Sequence, residues 1–309
     1  MRKRCLLLLL SLALLLSLLP ACSAPDTTDP EQTPDTQPPT EDQPSADDPE
    51  EQPEQDPEQD PGQTPQPPTP PEEEESMSFA FDGSVSHEVL CNYLSRAVTI
   101  SLENSFVPNM TNSTHVRKFI LNTGAKYICR FATCWSPSLA DYDTHAGQKA
   151  FILAMHDKDP DIVFEACVFE CISTAVNDIP IPDWVFEAFD MTPVTRNFSY
   201  TAMCFPDGSF KNQWGEGTSV PDITRMETML FLYYRACRYI QLGYEALHMG
   251  QIHLIGRDDK NWENWTLLLS MIRDFASDNA RRGFVFINAH THGIVGSDGV
   301  LLFDFHMYP

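Results

Sequence analysis

The chain has 309 residues, with 44 acidic side chains against 20 Lys and Arg, for a formal net charge of -24. A balance so acidic speaks against nucleic acid or anionic lipid as a partner. The charge is unevenly spread: 18 of the acids lie between Ser23 and Ser76, and from Met77 onward 26 acids face 17 bases.

Arg2, Lys3 and Arg4 open the chain, and an apolar run from Leu6 to Leu19, short for a spanning helix, closes on Leu19-Pro20-Ala21-Cys22. This segment resembles a bacterial lipoprotein signal. The resemblance implies cleavage before Cys22, lipid on that cysteine and a place on the extracytoplasmic face of the cell membrane. An ordinary secretory signal is the alternative, and export is common to both. Residues 23–76 consist almost wholly of Pro, Asp, Glu, Gln, Thr and Ser, with no Lys or Arg. Such a stretch cannot bury a core and is expected to be a disordered, extended tether. Residues 77–309 are long enough for one large core. Their seven cysteines (Cys91, Cys129, Cys134, Cys167, Cys171, Cys204, Cys237) have an odd count and no regular spacing. They read as small buried residues, with one bridge left open.

Along this region, Leu94–Ser101 is expected as a first strand. Thr114–Gly124 has helical spacing and a terminal glycine, and Ala125–Trp135 follows as a β-rich run. A second helix, within Asp143–Pro160, leads to an apolar strand over Asp161–Ser173. A short helix at Pro182–Phe189 precedes a predicted strand at Ser199–Phe205. The longest helix, Pro221–Gly243, feeds a strand in Tyr244–Ile255, and Asn261–Gly283 is the helix before Phe284–His290. The tail Ile294–His306 reads as a hairpin turning at Asp298-Gly299.

Near-continuous apolar strands alternating with amphipathic helices predict a parallel sheet covered by helices. The expected fold is α/β, a (β/α)8 TIM-barrel-like domain that is incomplete at its C-terminus, with a doubly wound sheet as second choice. No glycine-rich phosphate loop follows any strand, so no nucleotide cofactor is expected, nor any other.

Barrel chemistry gathers at the C-terminal ends of the strands. Those ends supply Arg130, Trp135, Glu170, the loop bearing Trp214, then His248, Gln251, Asn288, His290, Asp304 and His306. Carboxylates, amides, imidazoles and tryptophans together suit a sugar. Ala125–Trp135, Ile181–Phe189 and Tyr244–Gln251 make the chain resemble (β/α)-barrel glycoside hydrolases. The resemblance implies hydrolysis of glycosidic bonds with Glu170 as general acid/base and Asp304 as the second carboxylate. It also implies Arg130, Trp135, Trp214, His248, Gln251, Asn288 and His290 as sugar contacts.

Duller readings stand beside these. Glu170 could be salt-bridged to a residue such as Arg130, Glu165 could face the helix layer or pair structurally, and Glu245, at the start of its strand, belongs to the stability face. Trp262 and Trp265 read as packing residues. His290-Thr291-His292 has the His-x-His spelling of a metal pair, but it closes a late strand, so no metal is expected. A metal-dependent hydrolase using His290 and His292 is the least favoured alternative, and a glycan-binding lipoprotein without catalysis is the nearer one.

Overall fold

Helix and strand alternate through the region that the computed structural model describes, residues 77–100, 113–135 and 145–307. The signal segment, Cys22 and the tether lie outside the described residues. Helix α1 (His87–Ser95) opens the domain, its first turn capped by the Ser86 hydroxyl, which accepts from the Val89 amide. It takes the start of the predicted first strand, which shrinks to β1 (Ala97–Thr99). Then come α2 (Ser113–Thr123), β2 (Tyr127–Ala132), α3 (His145–His156) and β3 (Val163–Cys167). The chain next makes a long excursion through β4 (Ile172–Ser173), α4 (Asp183–Ala188), α5 (Tyr200–Met203), β5 (Thr218–Ser219) and α6 (Met226–Leu242). It returns with β6 (Ala246–His248), α7 (Ile252–Ile255), α8 (Glu263–Asn279), β7 (Phe286–Ala289) and β8 (Phe305–His306).

Two expectations about the elements are corrected. Ser199–Phe205 is no strand: the Ser199 hydroxyl accepts from the Ala202 amide, and Glu227 accepts from the Ser199 amide. These local bonds wind the segment into α5 instead. The sixth sheet strand comes from the tail. Asp298-Gly299 does turn between antiparallel Val295 and Leu301, but Phe305 and His306 then run parallel to β7, opposite Asn288 and Ala289.

The main sheet has the order β1-β2-β3-β6-β7-β8, and every pairing in it is parallel. β4 and β5 form a separate antiparallel pair. The order never reverses, so there is no switch point of the doubly wound kind. The six strands curl as a parallel half-barrel.

The alternation of side chains divides the sheet into two faces. Ile128, Phe164, Ala166, Leu247, Ile287 and Ala289 pack into the larger core, together with α3, α6 and α8. Their neighbours Tyr127, Cys129, Val163, Ala246 and Phe286 point the other way. There they form a second core with Val89 and Tyr93 of α1 and with Phe79, Phe81 and Phe284. α1 and residues 77–85 therefore seal the concave face at the end where the strands begin. Trp265 is fully buried in the larger core with Trp262 packed against it, in keeping with their reading as packing residues. Cys129, Cys167, Cys171 and Cys237 are buried thiols, and Cys91 is exposed.

Candidate functional site

At the other end of the strands the concave face turns polar. In register across the sheet lie Glu165 and Ala246, then Cys167, His248 and Asn288. β2 reaches this level through an irregularity in its pairing between Ile128 and Ala132. Arg130 sits inside it with φ 54°, a left-handed backbone that few side chains other than glycine adopt cheaply. The kink directs the Arg130 amide at Glu165 Oε1, 2.9 Å away.

Glu165 is fully buried and faces this concave side, not the helix layer. Its carboxylate accepts from Tyr127 Oη at 2.7 Å, Asn288 Nδ2 at 2.6 Å and the Arg130 amide. Burial raises its pKa, and these three donors oppose the rise. Asn288 also meets His248: its Oδ1 lies 2.6 Å from His248 Nδ1. Asn288 is fully buried and both ends of its amide are engaged, so it supports the site from within and does not face a ligand. Sequence reasoning placed it among the contacts, passed over Tyr127 and turned Glu165 towards the helices, because the alternation of β3 defines two faces without saying which is concave.

His248 is 1% exposed. Burial lowers its pKa to about 4, and the bond to Asn288 only partly offsets this. The ring of His290 lies 4.5 Å from it, and the His290 pKa is also lowered to about 4, by burial first and by His248 second. Among the described residues, the Nε2 atoms of both rings, and Nε of Arg130, are buried without a hydrogen-bond partner.

Glu170 lies three residues beyond the end of β3, in the loop, and is fully buried. The backbone amide of Gln251 donates to its Oε2 at 3.1 Å, and the Gln251 side-chain amide donates to its Oε1 at 2.8 Å. Gly250 makes this cradle possible: its φ is +72°, and a Cβ there would stand 2.0 Å from Glu170 Oε2. This turn also brings Gln251 and His248 to the same site, which an ideal strand would not. Among the described residues Glu170 makes no ion pair, so the salt bridge to Arg130 is not formed.

These groups back an open cleft of about 650 Å³ lined by Arg130, Trp135, Gln251, His253, His290, Thr291 and His292. Trp135 stacks on Phe169 at 4.3 Å, and Trp214, 38% exposed, stands 5.9 Å from Trp135. The Arg130 guanidinium also lies over Phe169. His253 and Thr291 are joined by a 2.8 Å bond on the rim. The structure thus gathers Arg130, Trp135, Gln251 and His290 at one cleft, with Glu170 and His248 directly behind.

Asp304 does not join them. Its Oδ2 accepts from the Ile287 amide at 2.7 Å, and its Oδ1 faces Arg273 of α8 at 3.4 Å. A carboxylate bonded to strand backbone and to a helix-layer arginine cannot face Glu170 across a substrate, so the pairing expected of these two residues is corrected. His290 and His292 also diverge, the first towards His248 and the second towards His306, whose ring lies 5.3 Å away. Among the described residues no group of three or more His, Cys, Asp or Glu is arranged to hold a metal ion.

No family model matches the chain, and no curated protein matches it. Among solved structures it is similar to two of a Nostoc punctiforme debranching enzyme, each at 14% identity. They cover 62% and 59% of this chain and 41% and 38% of theirs, with TM-scores of 0.38 and 0.37. A GH27 β-L-arabinopyranosidase of Geobacillus stearothermophilus in complex with arabinose is 13% identical over 65% of this chain and 49% of that one, at TM-score 0.33. This chain thus spans less than half the length of each, and at such scores the likenesses carry no argument about fold or activity.

Proposed function

We propose that the cleft at the strand ends is a carbohydrate site. The observation that carries this reading is the joining of a stacked indole, Trp135, with guanidinium, amide and imidazole groups on one open wall. A sugar offers a flat apolar face to an aromatic ring and hydroxyls that both donate and accept. In the catalytic form of the reading the protein hydrolyses glycosidic bonds, with Glu170 as general acid/base. Paired-carboxylate chemistry needs a second carboxyl group across the bond, and the engagement of Asp304 with Arg273 favours the second form, glycan binding without cleavage. The segment ending at Cys22 supports a lipid-anchored protein on the extracytoplasmic face of the cell membrane.

The test is titration calorimetry and product analysis on a panel of neutral oligosaccharides, with wild type, Trp135→Ala and Glu170→Gln. We expect a binding member of the panel, weakened roughly tenfold or more in Trp135→Ala, the equivalent of about 1.4 kcal/mol. Turnover abolished in Glu170→Gln with binding kept makes the protein an enzyme, and binding without turnover in all three makes it a binder. A panel with no bound member overturns the carbohydrate reading.

A further inference from the structure

The buried chain behind the cleft has a direction. Asn288 Nδ2 donates to Glu165 Oε2 at 2.6 Å. This fixes the amide: Oδ1 is the end that meets His248, and His248 Nδ1 must carry the proton it donates. The neutral ring then holds its lone pair on Nε2. That atom is buried and without a partner, and so is Nε2 of His290, whose ring centroid is 4.5 Å away. A buried acceptor left unmet is costly, and the neighbouring imidazole can meet it by turning its own Nε2–H towards the lone pair.

We infer that Glu165, Asn288 and His248 are positioning residues that impose the Nε2–H tautomer on His290, leaving its Nδ1 lone pair as an acceptor on the cleft wall that selects a ligand hydroxyl. The groups facing this pair of rings are Arg130, Glu165 and Glu170. A hydroxyl suits them because it donates to the imidazole and still has lone pairs for the Arg130 guanidinium. A carboxylate or phosphate oxygen would satisfy Arg130 and set a negative charge against the lone pair. The inference rests on the carbohydrate reading for its ligand; the His248 tautomer stands on its bond to Asn288, and that of His290 on the approach of the two rings.

Long-range proton–nitrogen correlation spectra of the full chain in detergent, with its histidines labelled, read the tautomers directly. At pH 7 we expect His248 as Nδ1–H and His290 as Nε2–H, both neutral. In Asn288→Leu both rings should lose this single form, and oligosaccharide affinity should fall about tenfold although Asn288 touches no ligand. Binding of the oligosaccharide selected from the panel should shift the Nδ1 resonance of His290. His290 found as Nδ1–H overturns the inference, even if Asn288→Leu fails to fold, and so does a bound oligosaccharide that leaves Nδ1 unchanged. The expected tautomers with no sugar bound overturn the carbohydrate reading, and the selection of a ligand hydroxyl with it.

Discussion

The two ends of the sheet treat buried carboxylates differently. Where the strands begin, Glu245 is 1% exposed and meets two guanidinium groups, Arg281 at 2.7 Å and Arg282 at 2.8 Å, while Arg282 also bonds Tyr93 and lies over the Phe81 ring. Where they end, Glu165 and Glu170 are as deeply buried but, among the described residues, accept from neutral donors: a phenol, amides and backbone N–H groups. A carboxylate closed by cations has no further chemistry to offer and ties helix to strand. One held by neutral dipoles keeps its charge available to whatever enters beside it. The first end supports the fold, and the second leaves its carboxylates without counter-charges behind the cleft.

Removing a partner at the closed end should have the largest effect. Glu245→Ala leaves the Arg282 guanidinium buried without its counter-charge and should cost about 3–5 kcal/mol in urea unfolding. A loss under 1 kcal/mol would show that the two ends do not differ as described. At the open end, Gly250→Ala forces a left-handed backbone on an alanine and drives its Cβ against Glu170. We expect roughly 2 kcal/mol from the backbone alone, together with loss of oligosaccharide binding in calorimetry. Retained binding would mean that the Glu170 cradle is not part of the site.

The open end should also show a pH dependence. His248 and His290 have folded-state pKa values lowered to about 4, from 6.5 in the unfolded chain. The unfolded chain therefore takes up these protons first, so their contribution to stability is complete above about pH 6.5 and is lost as pH falls towards 4. Thermal melts of wild type should drop across that window, and those of His248→Gln should drop less. Equal slopes in the two proteins would place the acid sensitivity elsewhere.

Much of this was legible beforehand. The glycine after α6 and the apolar strands were sufficient to predict helix-then-strand units and a parallel sheet, and the position of Glu245 at the start of β6 assigned it to the stability face. The helix signal of α1 was overrun by the β-branched residues of Ala97–Thr99, and Ser199–Phe205 looked like a strand because its capping partner, Glu227, is 28 residues away. Asp304 looked like a free carboxylate among phenylalanines until Arg273 and the Ile287 amide were found against it.

The amino-acid sequence by itself determined the kinds and order of most elements and the alternation of faces along each strand, since these depend on neighbours a few residues apart. Which face is concave, and so whether Glu165 meets helices or Asn288, was decided only by the tertiary structure. The bond between those two joins residues 123 positions apart, and it exists because the curl and register of three strands bring them to one level.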